Sequence, residues 1–157
     1  MSTNSASVPY HTATSFASES SEPGALSRAV VLVGRLLFSL IFIFGALNNF
    51  SHQSTAYAAA QGVPLASIAV PLAGIIALAG GLSILLGYRA RIGAWLVVLF
   101  LVGVTPAMHN FWAVKDPMMA QIQMIMFLKN LSMLGGALLV SQFGAGPWSL
   151  DARKNSK

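Results

Sequence analysis

Four long apolar runs separated by short polar stretches organise this chain. The first covers residues 29–48. Its Leu36, Leu37, Phe38, Leu40, Ile41, Phe42, Ile43 and Phe44 put apolar groups on every side of a helix. A helix that is apolar all round crosses a membrane or lies deep in a core. The others cover residues 66–86, 92–108 and 117–140. Each is long enough for a bilayer crossing, which takes about 20 residues.

The connection 49–65 has its own content. Ala56, Tyr57, Ala58, Ala59, Ala60 and Gln61 favour a helix. Ser54 and Thr55 can cap its start, and Gly62 followed by Pro64 can end it. About ten residues cannot cross a bilayer, so this predicts a short interfacial helix between spans 1 and 2. The predicted fold class is all-α, an integral membrane four-helix bundle with that interfacial helix. The bundle domain spans 29–141. Residues 1–28, rich in Ser and Thr and without apolar period, predict a disordered cytoplasmic tail. Residues 142–157 form a cytoplasmic C-terminal tail.

Within the spans, Pro71 falls in early turns and predicts a bend. Ala73, Ala77 and Gly81 recur every four residues, beside Gly74 and Gly80. Such small residues let membrane helices approach closely. Arg35 lies near enough to the start of span 1 for its head to snorkel to the interface.

Composition supports the membrane reading. The chain is 55% hydrophobic and 8% charged, against about 25% charged in ordinary soluble domains. Cysteine is absent, which excludes disulfides and thiolate-held clusters. The net charge of +5 is read as a topology signal rather than as nucleic-acid contact. Arg28, Arg35, Arg89, Arg91, Arg153, Lys154 and Lys157 share one side of a four-span arrangement, with Lys115 on the other. The positive-inside rule then places both termini in the cytoplasm of a multi-pass protein.

Candidate chemistry is sparse. Lys129 lies inside span 4, beside Asn130. A Lys at mid-span costs about 2.5–3.5 kcal/mol on insertion scales, so it predicts an interior polar site, with snorkelling as the plainer reading. No Asp or Glu lies in a span, so its partner is a neutral group, water or an anionic ligand. Gln123 and Asn130 are seven apart and share a face, which Met119, Met126 and Met133 roughly continue. His109, Asn110, Phe111 and Trp112 close span 3. The aromatics suit an interfacial belt, while His109 can hydrogen-bond a ligand or relay a proton. Asn48, Asn49 and His52 end span 1 on the same side. The ligand-binding candidates are Lys129, Asn130, Gln123, His109, Asn110, Trp112 and Asn48. No metal site is expected from so few ligating residues.

Several segments in order resemble the DoxX-like (DoxX/DoxD) membrane protein family. They are Gly80 through Arg91 (GGLSILLGYRAR), His109 through Trp112 (HNFW), Phe127 through Leu131 (FLKNL), Gly135-Gly136, and the connection ending Gly62-Val63-Pro64. The resemblance covers about residues 30–141. It implies a four-helix protein of the bacterial inner membrane. Some members are subunits of a thiosulfate–quinone oxidoreductase, others belong to oxidative-stress complexes, and distant ones are secretory cargo receptors. A Lys near the end of span 1 and a Glu before the Gly-Gly pair, common in that family, are replaced here by Asn48 or Leu47 and by Ala77. Lys129, Asn130 and His109 match.

Three functions follow as expectations. The first is a redox-associated subunit that binds quinone or another lipid-soluble ligand, with a membrane or soluble redox partner and no cofactor ligated by the chain itself. The second is a non-enzymatic membrane scaffold or assembly partner. The third is a small-molecule permease, which as a homodimer would enclose a pathway.

Overall fold

The computed structural model describes residues 24–155. It contains six α-helices and one 3-10 turn among the described residues. They are α1 (Ala25–Asn48), α2 (His52–Ala60), α3 (Ala66–Leu86), α4 (Ala90–Met108), the turn Phe111–Ala113, α5 (Pro117–Phe143) and α6 (Leu150–Asn155). Four are long and apolar enough to cross a membrane: α1, α3, the segment Ala90–Ala113, and α5. The chain is therefore an all-α, multi-pass integral membrane protein with a short interfacial helix, α2, between the first two spans. The tail predicted for residues 1–28 lies outside the described residues up to residue 23, and α1 begins at Ala25.

Local chemistry sets the helix ends. Ser51, rather than Ser54 or Thr55, caps α2: its hydroxyl accepts from the Ser54 N–H at 3.1 Å. Ser51 also has the extended backbone that a cap requires. Asp116 caps α5 by accepting from the Met119 N–H at 2.8 Å, and Pro117 occupies the first turn, where its missing N–H costs nothing. Gly87, at φ 64°, ends α3, and Tyr88 N–H returns to the Ser83 carbonyl at 3.0 Å. That left-handed turn is the usual helix stop. Pro71 lies inside α3, which runs continuously through it.

The spans pack in the order α1, α3, α4, α5. Small residues make the contacts close. A Cβ on Gly80 would stand 2.8 Å from both the Gly93 carbonyl oxygen and Val97 Cγ2, and one on Gly81 would stand 3.2 Å from Phe42 Cβ. Gly80-Gly81 is thus a two-sided helix contact, with Gly80 on α4 and Gly81 on α1. At the other end of α3, Gly74 lies against Ala46 of α1 and Asn49 just after it, so α1 and α3 run antiparallel. The short α3–α4 and α4–α5 connections reverse the chain again, so the start of α1 and the end of α5, the helix ends that lead toward the termini, lie at one end.

The core lies toward that termini-bearing end. It comprises Phe42, Ile84, Ala94, Val97, Leu101 and Ala137, with Phe38, Met133 and Val140 packed around it. Phe38 also lies over Gly136, joining α1 to α5. Large apolar side chains face outward along every span, among them Leu37, Phe44, Ile75, Leu99 and Leu139. In water this surface would aggregate; in a bilayer it is solvated.

The C-terminal segment is docked rather than trailing. Arg35 is buried and does not snorkel along its own helix. Its guanidinium donates to the Ala145 carbonyl at 2.9 Å and to the Trp148 carbonyl at 3.0 Å. Asp151 accepts from the backbone N–H groups of Arg89 and Ala90 at 2.8 and 3.0 Å. These two contacts bind residues 145–151 across α1 and the start of α4. Sequence reasoning missed them because the partners are carbonyls and N–H groups far along the chain, which leave no local pattern.

Candidate functional site

The other half of the bundle carries a cleft that is open at its side, since Leu72 and Leu99 of its lining are more than half exposed. A cavity of about 1050 Å³ lies between the helices at the end opposite the termini. All four spans and α2 contribute to its wall. Its floor is the upper surface of the core, formed by Phe42, Leu101 and Met133. Its sides are mostly small or apolar: Gly45 and Ala46 of α1, Ala69 and Ala73 of α3, and Gly103, Val104 and Ala107 of α4. Gly80 and Gly93 bring α3 and α4 together near their turn, whereas a Cβ on Gly103, higher on α4, would meet nothing within 4 Å.

Polar groups gather toward the mouth. Asn48, Asn49, Gln53, Tyr57 and His109 all line the chamber there. Behind them runs a hydrogen-bond relay. His109 Nδ1 meets Gln123 Oε1 at 2.8 Å, and Gln123 Nε2 donates to the Tyr57 hydroxyl at 3.2 Å. With the Gln123 oxygen accepting, His109 carries its proton on Nδ1. The Tyr57 O–H remains available as a donor. The relay ties α2 to α5 and to the end of α4.

Lys129 and Asn130 line the chamber below this layer, on α5. Asn130 is buried. Lys129 is exposed although it lines the cavity, and its Nζ lies 3.2 Å from Met126 Sδ. A thioether is a weak acceptor, so most of the ammonium's hydrogen-bonding capacity stays available. Lys129 is the only Lys or Arg in the lining, and the lining holds no Asp or Glu.

Four of the seven sequence candidates therefore meet in one cavity: Lys129, Asn130, His109 and Asn48. Gln123 stands behind the wall and positions His109. Asn110 and Trp112 are elsewhere. The Asn110 carbonyl accepts from Ala113 N–H in the 3-10 turn. Trp112 packs edge-on against Phe111 and Phe127 at 5.1 and 5.9 Å and is largely exposed, as an interfacial aromatic would be. Tyr57 was missed. It is the one large polar side chain in an alanine run, which is the signal that could have found it. Among the described residues, no cluster of His, Cys, Asp or Glu could hold a metal ion.

Comparison with known proteins gives a consistent family. The family model described as the SURF4 family matches residues 11–156. The inner membrane protein YphA of Escherichia coli (strain K12) is 31% identical over 132 residues, covering 83% of this chain and 94% of that protein. The inner membrane protein YqjF of the same organism is 32% identical over 130 residues, covering 81% and 93%. No solved structure matches. These findings correct the DoxX-like resemblance, which rested on Gly-Gly pairs, an aromatic span end and a basic turn. In this structure those features serve helix packing, the interface and chain reversal, needs common to many small membrane bundles. The redox-associated, quinone-binding subunit expected from that resemblance is withdrawn with it.

Proposed function

The chain belongs to the SURF4 family of integral membrane proteins, and on that premise we propose that it is a non-enzymatic membrane binding protein. Its chamber takes a small amphipathic anion: a short apolar body against the α1, α3 and α4 walls, and a carboxylate-like head at Lys129. The observation that carries this reading is a cavity of about 1050 Å³ whose lining has one cation, Lys129, and no carboxylate. Ligand cavities are typically about 300–1,000 Å³, largely apolar, with few placed polar groups. A charged group in a low-dielectric wall favours an opposite charge strongly. Asn130 and the Tyr57 hydroxyl supply donors for that head.

A chamber floored by Phe42, Leu101 and Met133 favours binding over a through-going permease path. It is also built within one chain, so no second copy is needed to form it. The names of both bacterial relatives place those proteins in an inner membrane. We carry that location over, with both termini cytoplasmic on the seven-to-one distribution of basic residues. The four-span domain of residues 29–141 supplies the binding site, and the C-terminal segment that follows it docks at the opposite end of the bundle.

Octanoate is a suitable probe. Titrated calorimetrically against the detergent-purified protein, it is expected to bind wild type at least ten-fold more tightly than it binds Lys129→Met. Octylamine, of like length and opposite charge, is expected to bind neither. Equal binding of octanoate to both proteins, or no preference for carboxylate over amine, would refute the proposal.

A further inference from the structure

A second cavity, of about 510 Å³, lies at the termini-bearing end, on the opposite side of the core from the chamber. We propose that it binds the phosphodiester headgroup of an anionic phospholipid. Three cations from three places line it: Arg89 in the α3–α4 turn, Arg91 in the first turn of α4, and Lys154 in α6. Asp151 is the one acid in the lining. Both its carboxylate oxygens are engaged by backbone N–H groups of Arg89 and Ala90. The cavity thus holds three cations against one carboxylate that is already bonded elsewhere. Neither Arg91 nor Lys154 donates a described hydrogen bond to another side chain.

The position argues for a lipid rather than a free anion. The cavity sits where α4 begins and α5 ends, the level at which a bilayer's phosphates lie. Two of its lining residues are apolar and outward-facing: Phe143, 79% exposed, and Ile92, 56% exposed. A soluble phosphate has no use for them, whereas the first methylenes of two acyl chains would lie against them. Basic pockets between spans are suited to anionic headgroups for this reason. The docked C-terminal segment completes the site, because Lys154 belongs to α6, which the Asp151 and Arg35 contacts hold against the bundle.

The test uses full-length protein in nanodiscs of equal phosphatidylglycerol and phosphatidylcholine, with retained lipids counted by native mass spectrometry. Wild type should retain phosphatidylglycerol preferentially. Each cation near an anionic lipid is worth about five-fold in affinity. The Arg91→Gln/Lys154→Gln protein should therefore lose roughly thirty-fold. The charge-preserving Arg91→Lys/Lys154→Arg protein should keep most of the preference, which separates lost charge from lost fold. Lys115→Gln, at the far end, should behave as wild type. Equal retention of the two lipids by wild type would overturn the proposal, as would a preference that survives the double Gln variant. Displacement of phosphatidylglycerol by millimolar inorganic phosphate would also overturn it, marking a small-anion site instead.

Discussion

Removing the Asp151 carboxylate should loosen the C-terminal segment and weaken the start of α4 together. The carboxylate accepts two backbone N–H groups, Arg89 at 2.8 Å and Ala90 at 3.0 Å, from 62 and 61 residues away. Arg89 cannot cap α4 itself: its backbone is left-handed at φ 48°, and it makes no side-chain cap bond. Loss of a helix cap costs about 0.5–2 kcal/mol. A negative charge at a helix N-terminus adds about 0.3–1 kcal/mol. The Arg89 N–H lies toward solvent and can be rehydrated, whereas the Ala90 N–H is partly buried and cannot be so easily. Asp151→Ala should therefore destabilise the protein by about 2 kcal/mol, and Asp151→Asn, which keeps one acceptor but loses the charge, by about 1 kcal/mol. Reversible unfolding in mixed micelles of increasing denaturing detergent measures this. Limited proteolysis should cut Asp151→Ala near residues 144–150 well before wild type. A change within about 0.5 kcal/mol, the range of ordinary surface substitutions, together with an unaltered cleavage pattern, would show that Asp151 does not hold the segment.

The remaining predictions concern helix packing and the hydrogen-bond relay. Gly80→Val should cost about 1–3 kcal/mol by overpacking, since even a Cβ would come within 2.8 Å of the Gly93 carbonyl oxygen and Val97. Gly135→Ala meets open space and should be neutral or stabilise by up to about 1 kcal/mol; a thermal unfolding series in detergent separates the two glycines. Tyr57→Phe removes the acceptor for Gln123 Nε2 at 3.2 Å and should cost about 1 kcal/mol. A double-mutant cycle with Gln123→Leu should give a coupling of about 0.5–1.5 kcal/mol, and additive effects would show that no relay connects α2 to α5.

The four spans and the interfacial helix were legible because a bilayer leaves so few alternatives: a run of apolar residues of this length must satisfy its own backbone, and only a helix does so in one segment. The small-residue positions were legible for a related reason. Gly80 and Gly81 have value to the fold only where another backbone comes close, and both neighbours, Gly93 on one side and Phe42 on the other, are found there. The site was half legible. Lys129, Asn130, His109 and Asn48 draw attention because polar groups within apolar runs are expensive, and the cavity collects all four. Trp112 and Asn110 drew attention as part of the HNFW segment that closes span 3, but at a span end an aromatic ring is at home in the interface and a side-chain amide in water, so neither needs a binding role. The unread part is what depends on distance along the chain. Arg35 reaches the Trp148 carbonyl across 113 residues and Asp151 reaches Arg89 across 62. A guanidinium, a carbonyl and an N–H can bond from any sequence separation, so neither contact has a spacing to recognise. Those same contacts bring Lys154 to Arg89 and Arg91. The chamber at one end follows from where helices part, and the basic cavity at the other follows from what a returning chain brings with it.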